Sequence, residues 1–247
     1  MFLSVIIPCY NEASRGSGEK SLESRLMQIL QYFAKYKYEL HFIDDGSTDN
    51  SIRVILDFVN ENGITNWSVV RSDTNHGKGH AIHSGIQLAH GDYCLIMDAD
   101  LSTSLTRLDM CIQELEKNTC VIGTRYADTS VVVNKRKFSR RVISKISRIL
   151  IQLAFGLGVT DTQCGFKVFP MKALKNSTSY VATGWLYDIE LLMCMKHQGV
   201  VIKEFPVLWD NMENESTLQP VRAVMSSLDD LFALLSYRKS IRLKYQH

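Results

Sequence analysis

The sequence predicts an α/β fold, a mostly parallel sheet with helices on both faces. Three observations lead there. Short apolar runs rich in Val, Ile and Leu alternate with segments of helical period through the first half of the chain. The runs are continuous, as in strands covered on both sides. Polar residues gather just after the runs end, at the edge where such sheets bind ligands.

The first run is Leu3 to Ile7, stopped by Pro8, and the second is Leu40 to Ile43, stopped by Asp44 and Asp45. Trp67 to Val70, Tyr93 to Met97 and Cys120 to Ile122 supply three more strands. Between them Leu22, Leu26, Ile29, Leu30 and Phe33 recur at helical spacing, as do Ile52, Ile55, Leu56 and Val59. Ala81, Gly85, Ile86 and Ala89 form a third such set, and Leu105, Leu108, Ile112 and Leu115 a fourth. The order is therefore βαβαβαβαβ. Beyond it, Arg136 to Val159 predicts one or two amphipathic helices, Phe166 to Phe169 a strand, Asp188 to Lys196 a buried helix and Val200 to Leu208 a strand. A last helix is expected over Ser226 to Leu243, with Leu228, Leu231 and Leu235 on one side and Arg238, Lys239, Arg242 and Lys244 near its close. It divides the chain into a main domain, residues 1–225, and a basic amphipathic helix over 226–247.

Composition excludes several classes of function. The 247 residues are 45% apolar, enough for a sizeable core, and 28 basic against 26 acidic residues leave a net charge of +2. That balance argues against nucleic acid as a partner and against disorder. Six dispersed cysteines with no CxxC pair read as reduced, buried thiols of a cytoplasmic protein. The opening MFLSVIIPCYNE is strand-length, with no basic leader or cleavage site, and reads as a strand rather than a signal peptide. Lys145 and Arg148 interrupt the apolar segment Val142 to Val159, which is thereby too short to span a bilayer.

Asp98-Ala99-Asp100 follows the fourth strand directly. Two hard oxygen donors with positions left for phosphate and water suit Mg²⁺ or Mn²⁺; the competing use is helix capping by one of them. In Asp44 to Asp49, Ser47 or Asp49 can cap a helix and Gly46 can make the turn, whereas Asp44 and Asp45 together suit hydrogen bonds to a nucleotide's base or ribose. Asn75-His76-Gly77-Lys78-Gly79 lacks P-loop spacing, but Lys78 and free N–H groups at a helix start suit a diphosphate. His76, His80 and His83 lack zinc-site companions and read as a solvated helix face. Pro8 to Glu12 stands where GxGxxG would be needed, which disfavours hydride transfer.

Together IIPCYNE, FIDDGSTD, NHGKGHAI and MDADLS resemble the family 2 glycosyltransferases of GT-A fold. The segments GTR, DTQCGFKVF, WLYDIELL and IKEFPVLW resemble more narrowly the polyprenyl-phosphate sugar synthases, above all their dolichyl-phosphate glucosyltransferase branch. The resemblance implies that Pro8, Tyr10, Glu12, Ile43 and Asp45 hold the nucleoside, and that Asp98, Ala99 and Asp100 bind the metal and donor diphosphate. It also implies that Arg125, Arg140 and Ser144 grip an acceptor phosphate. The chain departs from the pattern at Ser102, where the mannose synthases carry a metal-binding Gln. It departs again at Asn211 to Leu218, where Asn211 and Thr217 replace basic residues and Arg222 is the candidate substitute.

The implied activity is metal-dependent, inverting transfer of a sugar, with UDP-glucose the donor of this branch, to a polyprenyl phosphate. The implied setting is peripheral, on the cytosolic face of a membrane, with room for a homo-oligomer. Leu150, Ile151, Leu153 and Phe155 beside Arg140, Arg141, Lys145 and Arg148 predict the interfacial helix. An ionised phosphate acceptor needs no general base. A hydroxyl acceptor does, and Asp188 and Asp161 are the candidates. Two other readings compete: a soluble family 2 transferase acting on a glycan or protein hydroxyl, and a catalytically silent nucleotide-sugar binding module.

Overall fold

The computed structural model describes residues 1–133, 138–177, 181–210 and 230–238, apart from the side chains of 138–143 and 146. The first half runs β1 (Leu3–Cys9), α1 (Leu22–Phe33), β2 (Tyr38–Asp44), α2 (Ser51–Glu61), β3 (Trp67–Arg71), α3 (Lys78–Leu88), β4 (Tyr93–Met97), α4 (Leu108–Gln113) and β5 (Thr119–Thr124). The second half runs β6 (Val131–Val133), α5 (Phe138–Phe155), β7 (Phe166–Pro170), α6 (Met171–Asn176), α7 (Tyr187–His197), β8 (Val201–Pro206) and β9 (Leu208–Asp210). Residues 230–238 are helical.

Seven strands form one sheet in the order β3-β2-β1-β4-β7-β5-β8, and β6 pairs with β9 beside it. All pairings are parallel except those of β7, which runs antiparallel to both β4 and β5. Side chains alternate across the sheet: Val5 and Ile7 pack with Leu26, Phe33, Ile55 and Leu108, while Ile6 packs with Ile82, Ile86, Leu174 and Leu192 on the opposite face. The core therefore lies on both sides, with α1, α2 and α4 against one face and α3, α5, α6 and α7 against the other. From Tyr187 to Met195 every residue of α7 is buried, which accounts for its lack of an amphipathic stripe.

Strand order reverses at β1, whose neighbours are β2 and β4, so the crevice expected at the carboxyl ends lies between the loops after β1 and β4. Pro8 helps to open it. Contrary to the sequence expectation, β1 does not stop at Pro8 but continues along β2, pairing Pro8 with Ile43 and Cys9 with Asp44. On the β4 side the register ends at Ile6 with Ile96, so the missing Pro8 N–H costs no ladder bond there. Two further differences concern the second half. Val200 to Leu208 divides into β8 and β9 after Pro206, and β6 and α6, too short for a periodic signal, were not expected.

Candidate active site

Asp45, at the tip of β2, ties three loops together. Its N–H donates to the Cys9 carbonyl at 2.9 Å, and its buried carboxylate accepts from the N–H groups of His76 at 2.9 Å and Gly77 at 2.7 Å. Gly77 holds φ at +105°, and a side chain there would collide with the Thr183 carbonyl. The amides of Gly79 and His80 are also taken: Gly79 donates to the Gly184 carbonyl and His80 to that of Thr183, both at 3.1 Å. Of the amides expected to be free at the start of α3, those of His76, Gly77, Gly79 and His80 are bonded within the protein. Lys78 remains, and it points into the crevice.

The Lys78 Nζ lies 2.5 Å from Asp98 Oδ1, above the rings of Trp185 and Tyr187. Burial works against its ammonium, but the carboxylates of Asp98, Asp188 and Asp100 overcome that and raise its pKa. Asp100 Oδ1 accepts from the Ser102 N–H at 2.8 Å. Ser102, which departs from the family pattern, therefore orients one of the two carboxylates. Burial first, and then the Asp98 charge, push the Asp100 carboxyl above the usual range. Gly165 completes the cradle, since any side chain there would overlap the Asp98 carboxylate. A divalent cation fits this place: two hard oxygen donors carry unfavourable like charge, and a cation already faces them. Among the described residues no third His, Cys, Asp or Glu joins them, which leaves coordination positions for phosphate and water.

Glu12 is buried, and burial raises its pKa against the lowering influence of Arg15 and Arg25. Its carboxylate meets Arg15 at 2.8 Å and Arg25 at 2.9 Å. Arg25, buried on α1, is a residue the sequence reading missed. The signal was a charge set among Leu22, Leu26 and Ile29 on the apolar face of the helix. Pro8 and Tyr10 are half-buried beside this loop, whereas the side chain of Ile43 is packed in the core, so only its backbone can face a nucleoside.

The residues expected to grip an acceptor phosphate are Arg125, Arg140 and Ser144. Arg125, at the end of β5, forms a two-pronged pair with Asp161 through Nε and Nη2, both at 2.8 Å. Burial opposes ionisation of Asp161, but the Arg125 bonds prevail and hold its carboxyl below the usual range. Asp188 is sealed in a second pair, 2.6 Å from the Lys167 ammonium, which also donates to the Cys164 carbonyl. The two candidate bases are thereby committed to cations. Arg140 stands in the first turn of α5, its side chain outside the described residues, and Ser144 is half-buried one turn on. Asn211 to Leu218 and Arg222 lie outside the described residues. His83 does not share a solvated face: it is buried, and burial, aided by His80, lowers its pKa to about 3.

The glycosyl transferase family 2 model matches residues 4–178. The chain belongs to glycosyl transferase family 2. Within that family it is 30% identical to the dolichyl-phosphate beta-glucosyltransferase of Dictyostelium discoideum, over 94% of this chain and 73% of the relative. To the human protein of the same name it is 28% identical, over 95% of this chain and 75% of the relative. Glucosyl-3-phosphoglycerate synthase from Mycobacterium tuberculosis superposes with a TM-score of 0.67 at 19% identity, over 95% of this chain and 79% of that one. The GT-A fold and a glycosyltransferase activity follow for this family 2 member.

Proposed function

We propose that this enzyme transfers a glucosyl group from UDP-glucose to a polyprenyl, dolichyl-type phosphate with inversion, in the presence of Mg²⁺ or Mn²⁺. The relatives, dolichyl-phosphate beta-glucosyltransferases, support the acceptor, and the M. tuberculosis synthase, of the same fold, crystallised with UDP-glucose and Mn²⁺, supports the donor and the metal.

The observation that carries the choice of acceptor is the state of the candidate bases. Arg125 holds the Asp161 carboxyl below the usual range, and Asp188, although burial raises its carboxyl, is bonded at 2.6 Å to the buried Lys167 ammonium, so neither carboxylate stands free to take a proton from a hydroxyl. A phosphate monoester is already ionised and needs none. Its requirement is an environment that admits a second anion beside the donor diphosphate. Lys78, beside Asp98 at the start of α3, and Arg125, just after β5, are the two cations at this edge of the sheet that would meet it. Asp98 and Asp100 would hold the cation, which supplies Lewis-acid stabilisation of the departing UDP. Attack at the anomeric carbon opposite the diphosphate gives a β-linked product from an α-linked donor.

A lipid acceptor also asks for contact with a membrane. No helix among the described residues is long and apolar enough to cross one. On α5, Ile149, Leu150 and Leu153 are 51%, 59% and 79% exposed, whereas Ile151 and Phe155, expected on the same face, belong to the core. The exposed three make the surface for peripheral attachment on the cytosolic side.

The test offers UDP-[¹⁴C]glucose with Mn²⁺ to a short polyprenyl phosphate, to the matching polyprenol and to sugar or peptide hydroxyls. Transfer to the phosphate alone, as a β-anomer by NMR, is expected. Transfer to hydroxyls instead would establish the rival family 2 activity, and no turnover of any donor would establish a silent binding module.

A further inference from the structure

The two loops that border the donor crevice each contain a non-glycine residue in the left-handed region. Asn11, after β1, and Leu101, after β4, both have φ of +53°. Asparagine tolerates this conformation, and its Oδ1 is bonded to the Thr48 N–H at 2.8 Å. Leucine gains no such bond. It holds the conformation only where the surroundings over-determine the turn.

Arg25 joins the two loops. Its Nη1 donates to the Ala99 carbonyl at 2.7 Å and to Glu12 Oε2 at 2.9 Å. Its Nη2 donates to the Glu12 carbonyl at 2.9 Å and the Arg15 carbonyl at 3.2 Å, while Nε reaches the Ser21 carbonyl at 3.4 Å. The guanidinium is only 3% exposed, so these carbonyls have little water to replace it. Its rigid plane fixes how far apart its acceptors sit.

We propose that Arg25 is a positioning residue of the donor site: by fixing the Ala99 peptide to the Tyr10–Glu12 loop, it sets the aim of Asp98 and Asp100 relative to the nucleoside. This deepens the functional reading above and rests on it. A displacement of either loop must pass through the same fork, so nucleoside and cation sites behave as one unit. Lysine at this position keeps the charge opposite Glu12 but lacks the planar fork whose separate nitrogens, Nη1 and Nη2, meet the Ala99 and Glu12 carbonyls.

The test compares wild type with Arg25→Lys by three measurements: melting temperature, hydrogen exchange of peptides covering 10–16 and 97–103 in the unliganded protein, and UDP affinity with Mn²⁺ by calorimetry. Arg25→Lys is expected to melt close to wild type and to exchange faster in both segments together. Its UDP affinity with Mn²⁺ should fall by about tenfold or more, with KM for polyprenyl phosphate unchanged. Should Arg25→Lys fail to fold, Arg25→Gln, which leaves Glu12 paired with Arg15, carries the same expectation for exchange in 97–103 and for affinity. A folded variant with wild-type affinity and wild-type exchange at 97–103 overturns the proposal alone. Exchange raised evenly over the sheet, with affinity unchanged, marks a merely structural role and also overturns it. Wild-type protein that does not bind UDP with Mn²⁺ overturns the functional reading and the proposal together.

Discussion

At Asp100, burial and the Asp98 charge both oppose ionisation, so a bound cation relieves each carboxylate it meets. Asp100→Ala is expected to reduce metal-dependent transfer by about 100-fold or more while leaving the melting temperature near wild type. Retained turnover would reject the role. Glu190 gives a prediction of another kind. It is buried on α7 and accepts from the N–H groups of Val181 and Ala182, each at 2.9 Å. Burial pushes its carboxyl up to about 7, outweighing those two bonds, and Asp230 adds to the rise. Because the folded protein binds this proton more tightly than the unfolded chain, the contribution to stability is complete below about pH 4.5. It is lost as pH rises through about 7, at a cost of about 3 kcal/mol. A series of melting curves from pH 4.5 to 7.5 should show wild type losing ground relative to Glu190→Gln. Parallel profiles would contradict the assignment.

Among elements, α5 shows where a sequence pattern stops being informative. Its apolar residues are numerous enough to be read as one stripe, yet the fold divides them: Ile151 and Phe155 close the core, and Ile149, Leu150 and Leu153 face outward. Period alone could not tell which apolar residues the sheet would cover, because that depends on helices α6 and α7, which arrive later in the chain. If the outward three meet lipid, replacing Leu150 and Leu153 by Glu should weaken binding to anionic vesicles by about tenfold per residue, from about 1.5 kcal/mol of lost apolar burial each. Flotation assays would measure it, with an unchanged melting temperature as control. Strand β7 makes a similar point. Its position and length were legible as Phe166 to Phe169, but an apolar run carries no direction, and the antiparallel pairing emerges only from its partners β4 and β5.

For the molecule as a whole, the edge that gathers the polar loops was readable because parallel strands send their post-strand loops to one side. Asp45, Lys78, Asp98 and Asp100 could therefore be grouped before any coordinates. What escaped were pairings made across long stretches of chain. Arg25 with the Ala99 carbonyl, Lys167 with Asp188 and Arg125 with Asp161 have no spacing rule, and each decides how a loop is held or whether a carboxylate is available. The core closes through apolar contacts on both faces of the sheet, so metal removal should not unfold the protein. UDP with Mn²⁺ at one hundred times its dissociation constant should add about 2.7 kcal/mol to stability, visible as a thermal shift, and EDTA should abolish both that shift and the transfer.

The late arrival of β7 has a consequence for biosynthesis. Strand β5 has only β7 and β8 as sheet neighbours, and β4 is flanked on its far side by β7. A nascent chain that has emerged only as far as β5 holds a four-stranded piece, β3-β2-β1-β4, and an orphan strand with nothing to pair with. The aspartates are already synthesised by then, but Gly165, which seats one of them, is not. Assembly of a competent enzyme therefore waits for a hairpin-free insertion from the second half of the message, and until then the far edge of β4 and both edges of β5 stand open to chaperones or to aggregation.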